Sequence, residues 1–215
     1  QELIDKTAND LSQEEVIGWF QGRMEFGPRA LGARSILADP RSEYMQKKLN
    51  LKIKYRESFR PFAPSVLRED LLEWFNIDVD SPYMLMVSSI KKDKRIEMTE
   101  DQKKLFGIDK LNLKRSEIPA VTHVDYSARI QTVVEETNEK YYYLIRKFKE
   151  KTNCPIVINT SFNVRGEPIV NTPLEAFNCF MGTELDKLVI GNCYLDKKKQ
   201  RLDLKKNYIN KFEMD

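Results

Sequence analysis

The segment Gly22-Arg23-Met24-Glu25-Phe26-Gly27-Pro28-Arg29-Ala30-Leu31-Gly32-Ala33-Arg34-Ser35 gathers three arginines, three glycines, one proline and one glutamate into one short stretch. Glycine and proline disfavour a helix interior, so the arginines are presented from a fixed turn. A guanidinium grips phosphate or carboxylate through two parallel hydrogen bonds. One carboxylate, Glu25, cannot neutralise Arg23, Arg29 and Arg34 together, which leaves positive charge for a ligand. The chemistry indicated is binding of a polyanion, a nucleotide or an acyl phosphate.

Three further groups carry chemistry. In Lys52-Ile53-Lys54-Tyr55-Arg56-Glu57-Ser58-Phe59-Arg60-Pro61-Phe62, an extended backbone would turn Lys54, Arg56 and Arg60 toward one side. The apolar neighbours Phe59, Pro61 and Phe62 set those cations in a cleft rather than on a solvated face. In Asn159-Thr160-Ser161-Phe162-Asn163-Val164-Arg165-Gly166-Glu167-Pro168, small hydroxyl and amide residues stand where a strand runs into a loop. Such positions bind phosphate oxygens, and ligands of open α/β sheets sit at the carboxyl ends of strands. The plain alternative is a polar turn held by its own side chains. In Thr122-His123-Val124-Asp125-Tyr126-Ser127-Ala128-Arg129, Arg129 is a candidate ligand contact, and Asp125 a candidate to orient it or to hold a magnesium-bound water. His123 is the single histidine, and a lone histidine is more often a hydrogen-bonded structural residue than a catalyst. No Ser-His-Asp order, zinc cluster, Walker A loop or GxGxxG fingerprint occurs. No residue set is assigned to a metal.

The elements that must position these groups alternate irregularly. Ser12 to Glu15 reads as a helix start or turn, followed by strands at Val16–Phe20 and Ser35–Ala38. Ser42 to Leu51 reads as a helix capped by Ser42. Ala63–Leu67 reads as an edge or entering strand, because Pro64 suits such places. A short helix over Glu69–Phe75 precedes a strand over Tyr83–Ile90. Residues Lys91 to Arg115 are charged and weakly periodic, a surface insertion with some helix. A strand at Arg129–Val134 leads to a helix over Thr137–Lys151 with the stripe Tyr141, Leu144, Ile145 and Phe148. Within it Tyr141-Tyr142-Tyr143 reads as core plus surface, not a base-stacking platform. Pro155–Thr160 is an apolar strand, Pro173–Met181 a helix with proline in its first turn, and Leu188–Tyr194 closes the core. The basic tail beginning at Lys197 is expected to be solvated. This order predicts an α/β or α+β domain around one twisted mixed sheet.

Bulk numbers agree. With 215 residues, 41% hydrophobic and 32% charged, the chain can bury one substantial core. Its 36 basic and 33 acidic residues leave a net charge of +3, so any positive field is local. No apolar run reaches the length of a membrane span, and no export signal is visible at Gln1. Three cysteines without metal-ligand spacing fit a reducing cytoplasm. With no methionine at its start, the chain is expected to be part of a longer protein.

The run Gly18–Gly32, then Phe59-Arg60-Pro61-Phe62-Ala63-Pro64-Ser65, then Asn159–Asn163 with Gly166-Glu167-Pro168-Ile169-Val170, resembles the C-terminal domain of the NodU/CmcH-type O-carbamoyltransferases. The resemblance runs from about Val16 to Tyr194 and is weakest over Lys91–Arg115. It implies one domain over residues 1–215, a surface insertion at 91–115, a basic tail at 197–215, and a missing N-terminal actin-like domain. The implied fold is YrdC-like: a twisted mixed sheet with surrounding helices and a concave basic cavity. The YrdC pattern pairs Lys-x-Arg with a distant Ser-x-Asn, matched here by Lys54-Tyr55-Arg56 and Ser161-Phe162-Asn163. By that resemblance Lys54, Arg60 and Ser161 are catalytic. Arg23, Arg29, Arg34, Arg56, Arg129, Asn159 and Asn163 bind nucleotide and carbamoyl group. The implied reaction makes carbamoyl-adenylate from ATP, with Mg2+, and carbamoyl phosphate. The missing domain, with its own histidine-ligated metal, then passes the carbamoyl group to an acceptor hydroxyl. The competing readings are an RNA-binding module, disfavoured by the small net charge and the lack of an aromatic-basic RNA motif, and a nucleotide-binding regulatory module without turnover.

Overall fold

The computed structural model describes residues 1–111, 113–208 and 212. The chain opens with α1 (Glu2–Ser12), β1 (Ile17–Phe20), β2 (Arg34–Ala38), α2 (Met45–Lys52) and β3 (Ala63–Leu67). A 3-10 turn over Arg68–Asp70 runs into α3 (Leu71–Trp74), followed by β4 (Met86–Ser89). Two short helices, α4 (Glu100–Lys103) and α5 (Gly107–Leu111), precede β5 (Ser127–Val133) and the long α6 (Glu139–Thr152). Then come β6 (Ile156–Ser161), α7 (Pro173–Gly182), β7 (Lys187–Ile190) and β8 (Cys193–Asp196). The strands form one mixed sheet in the order β4-β5-β3-β6-β2-β1-β7-β8. The pairs β1/β7 and β3/β5 are parallel, and the remaining neighbours are antiparallel. The expected α/β architecture around a mixed sheet is what the chain adopts.

Local chemistry explains the best-defined helices. In α6, the Asn138 side chain caps the Tyr141 amide, and Asn153 ends the helix in the left-handed region at φ 59°. Tyr141, Leu144, Ile145 and Phe148 recur on one face and are all fully buried. Each contributes roughly 1.5–3 kcal/mol by leaving water. In α7, Thr172 and Glu175 form a reciprocal capping box, and Pro173 occupies the first turn.

The register arranges the site. Residues directly opposite in a sheet project to the same face. Ser65 pairs with Gln131, and Ala63 pairs with Asn159. Ser35 pairs with Ser161, and Val87 with Arg129. One face near the sheet centre therefore carries Arg129 and Gln131 from β5, Ser65 from β3, and Asn159 and Ser161 from β6. Polar side chains cluster there because the arginine-bearing loop between β1 and β2 lies over them and supplies hydrogen-bond partners.

Several local expectations change. β3 lies between β5 and β6 and is not an edge strand. Helix α2 starts at Met45 without a side-chain cap, and Ser42 Oγ instead donates to Glu14 Oε2 at 2.9 Å. Ser12 ends a helix rather than starting one: α1 buries Thr7, Ala8 and Leu11 and packs on α6. The segment after α2 is not extended, because Tyr55 takes φ 49° and turns the chain. The start of the tail is also not simply solvated. Lys197 Nζ donates to the Phe180 carbonyl and, at 2.9 Å, to that of Thr183. Tyr208 is buried, with its hydroxyl donating to Glu167 Oε1 at 2.8 Å. The remainder of that tail, residues 209–211 and 213–215, lies outside the described residues. No helix among the described residues is long and apolar enough to cross a membrane.

Candidate functional site

Lys54 is the most enclosed cation of the site, 3% exposed. Its amide donates to the Leu49 carbonyl at 2.9 Å, which wraps it around the end of α2. Its ammonium reaches the end of β6, donating to the Ser161 carbonyl, to Ser161 Oγ at 3.2 Å, to the Asn163 carbonyl at 2.9 Å and to Asn163 Oδ1 at 2.8 Å. Ser161 Oγ in turn donates to Asn163 Oδ1 at 2.7 Å, and Asn163 Nδ2 donates to the Glu167 carbonyl at 2.6 Å. Lys54 of the Lys-x-Arg element thus meets the Ser-x-Asn element in one hydrogen-bonded cluster. Burial, then the neighbouring Arg56 charge, lowers the Lys54 pKa to about 7. The charged form is expensive there until an anion enters.

Arg56 points the other way. Asn50, fully buried, accepts from Arg56 Nε at 2.7 Å and donates to the carbonyls of Ser58 at 3.0 Å and Arg60 at 2.9 Å. It clamps the whole turn. Arg56 lies 5.0 Å from the Phe62 ring, and burial followed by the charge of Arg60 lowers its pKa to about 10. A cavity of 440 Å³ opens here, lined by Arg56, Arg60, Pro61, Phe62, Ala63, Val87, Val121, His123, Asp125, Ser127, Ala128 and Arg129. Its wall is mixed rather than uniformly basic. Arg60 is exposed and ion-paired with Glu57 at 3.0 Å, and Glu57 also meets Arg165 at 3.4 Å. Asp125 Oδ1 accepts from Ser127 Oγ at 2.6 Å and from the Ser127 amide at 2.9 Å, and lies 3.3 Å from His123 Nδ1. Those contacts hold the loop before β5, and no ion pair joins Asp125 to Arg129 among the described residues. The buried Nε of Arg129 has no hydrogen-bond partner among the described residues. Burial lowers the Arg129 pKa first, and the nearby charge of Arg29 lowers it further.

The loop between β1 and β2 is held from within by Glu25. Its Oε1 accepts the amides of Leu31 at 2.6 Å, Ala33 at 2.8 Å and Arg34 at 3.4 Å. Glu25 therefore binds loop amides instead of arginine side chains. Trp19 Nε1 donates to the Gly32 carbonyl at 2.9 Å, and Gly32, at φ 106°, packs against Tyr141 where a Cβ would sit 2.4 Å from the ring.

The site residues expected from the sequence separate into distinct settings. Lys54, Ser161 and Asn163 form the buried cluster, and Arg56, Arg60 and Arg129 line the cavity. Arg29 is exposed on the loop beside Arg129, and Arg23 is exposed on the same loop. Arg34 is buried and committed elsewhere. It donates to the carbonyls of Gln21 and Ala33 at 3.0 Å each and of Gly22 at 3.1 Å, and stacks 3.4 Å from the Phe20 ring centre. Asn159 is buried in the sheet, with Nδ2 donating to the Ala30 carbonyl at 3.0 Å. Asn50 and Gln131 carry parts of this architecture that the motifs do not mark. The available signals are an amide in the last turn of a helix and a glutamine inside a β-branched strand run.

A family model described as Carbamoyltransferase C-terminus matches residues 8–197. Uncharacterized protein sll1178 of Synechocystis sp. is 56% identical over 100% of this chain and 35% of its own length. The 3'-hydroxymethylcephem-O-carbamoyltransferase of Amycolatopsis lactamdurans is 32% identical over 90% of this chain and 33% of its own length. This chain thus spans about a third of the length of these curated relatives. Among solved structures, full-length HypF in its phosphate- and nucleotide-bound form aligns with TM-score 0.47 and 14% identity, over 81% of this chain and 19% of that one. With the family model covering almost the whole chain, this protein belongs to the carbamoyltransferase C-terminus family.

Proposed function

We propose that this domain forms carbamoyl-adenylate from MgATP and carbamate derived from carbamoyl phosphate, for transfer to an acceptor hydroxyl elsewhere in the longer protein. Carbamoyl phosphate and water give carbamate and phosphate. A carbamate oxygen then attacks the α-phosphorus of ATP, the bond to the bridging oxygen breaks, and pyrophosphate leaves. Charge grows on the leaving pyrophosphate, and cations fixed in advance stabilise it best in a partly dry site. Family membership supports carbamoyl transfer. The observation that carries the adenylating step is Lys54 seated on Ser161 and Asn163 beside Arg56, with the arginine-lined cavity adjoining.

In this reading Arg56, Arg129 and Arg29 hold phosphates, and Lys54 supplies a further charge at the reacting end. In the same reading magnesium enters with the nucleotide, as MgATP. The test is carbamoyl-phosphate-dependent exchange of labelled pyrophosphate into ATP. Exchange in the wild type, lost in Lys54→Ala and Arg60→Ala proteins that remain folded, is the expected result. ATP binding without exchange would instead identify a regulatory module. Tight tRNA binding with a steep salt dependence and no exchange would identify an RNA-binding one.

A further inference from the structure

Two cations of this site, Arg29 and Arg129, come close enough that one lowers the pKa of the other, yet they reach that position from different elements. Arg129 is fixed by the register of β5, whereas Arg29 is exposed on a loop. Like charges separate unless something holds them. Glu25 organises the loop internally but does not locate it against the sheet.

The link is a buried polar network under the loop. Gln131 Nε2 donates to the Leu31 carbonyl at 2.9 Å, two residues beyond Arg29. Gln131 Oε1 accepts from Ser65 Oγ at 2.6 Å and from Asn159 Nδ2 at 2.8 Å. The same Asn159 Nδ2 lies 3.0 Å from the Ala30 carbonyl. Gln131 is 4% exposed, Ser65 fully buried and Asn159 1% exposed. Gln131 stands two residues from Arg129 on the same face of the same strand. Among the described residues, its bond to Leu31 is the one side-chain hydrogen bond that joins the strand carrying one guanidinium directly to the loop carrying the other.

We propose that Gln131 is a positioning residue that, with Ser65 and Asn159, pins Ala30 and Leu31 to the sheet and so fixes the Arg29 guanidinium beside Arg129. Its part in anion binding rests on the adenylate-forming reading above, while the anchoring of the loop does not. Neutral hydrogen bonds suit the task, because a buried amide fixes geometry without adding a charge that would compete with the ligand. A strand residue is also a more rigid anchor than another loop residue.

The test uses Gln131→Met, which keeps the volume and removes every polar atom, and Gln131→Glu, which keeps the acceptors but loses the donor to Leu31. Two readouts are taken: the rate of tryptic cleavage after Arg29, followed by mass spectrometry, and calorimetric binding of inorganic pyrophosphate. The expected result is cleavage accelerated about tenfold or more in both variants, with pyrophosphate affinity weakened by a similar factor and the far-UV spectrum unchanged. Unchanged cleavage in both variants overturns the proposal, and so does weakened binding without faster cleavage. Faster cleavage in a protein whose wild type binds no pyrophosphate supports the anchoring and overturns the functional reading instead.

Discussion

Lys54 Nζ lies 2.8 Å from Asn163 Oδ1, across 109 residues of sequence, and the contact joins the end of α2 to the end of β6. The ammonium is enclosed by neutral oxygens and makes no ion pair among the described residues, and the Glu167 carboxylate acts on it only through space, more weakly than burial does. A buried cation in that condition is suited to receive an anion.

Replacing Lys54 by methionine should reduce pyrophosphate exchange by about a hundredfold to a thousandfold, the usual effect of removing one preorganised electrostatic contact. The fold should survive, because the desolvation cost of the ammonium disappears along with its hydrogen bonds. Exchange assays and thermal melts on the same preparation check both halves. A variant that retains full exchange while folded would falsify the assignment.

The pH dependence follows from the lowered pKa. Near neutrality part of the Lys54 population is uncharged, so pyrophosphate affinity should fall as pH rises from 6.5 to 8.5, as roughly sketched by the pKa of about 7. Arginine stays charged throughout this range, so Lys54→Arg should flatten the profile wherever it still binds. The stability sign is the reverse. Between about pH 7 and the ordinary lysine value the unfolded chain binds the proton that the folded chain lacks. The penalty is therefore complete below the folded pKa and relieved as pH rises through that window. The melting temperature of the wild type relative to Lys54→Met should increase from pH 7 to 9, and a difference that stays flat or falls would contradict the burial argument.

Arg34 and Arg29 should respond oppositely. Arg34→Lys loses a planar fork that serves four carbonyls and stacks on Phe20, so it should lower stability by about 2 kcal/mol or more. Arg29→Lys should leave the urea midpoint within error and weaken pyrophosphate binding. Equilibrium unfolding and calorimetry on the two proteins separate the roles.

Gly32→Ala should destabilise the protein by roughly 1–3 kcal/mol, because the added methyl meets the Tyr141 ring at a backbone angle that alanine adopts poorly. Urea denaturation checks the magnitude. The arginine loop should become more open to trypsin at the same time.

Periodicity made α6 legible almost to its boundaries, since one apolar stripe every three to four residues has no other use. The strands β1, β2, β3, β5 and β6 showed as short apolar runs, and Pro173 announced α7. Helix α1 is missed because the run Ser12 to Glu15 reads as a helix start or turn, whereas α1 ends at Ser12 and buries Thr7, Ala8 and Leu11. The place of β3 could not be read, because Pro64 signals an edge by local rules and only the assembled sheet shows which strands flank it. Among site residues, Arg34 looks the same in sequence as Arg29. Their difference lies in what surrounds them after folding: backbone carbonyls and a ring for one, solvent and a second guanidinium for the other.

Local composition and spacing were enough for the fold class, the chain order of most elements and the residue types available for anion chemistry. Which of those residues meet is a matter of folding, anticipated only where the family resemblance paired Lys54-Tyr55-Arg56 with Ser161-Phe162-Asn163. Bringing Lys54 onto Ser161 and Asn163, and Gln131 under the arginine loop, depends on strand register and on the left-handed turn at Tyr55, and long-range pairings of that kind leave no mark in any window of neighbouring residues.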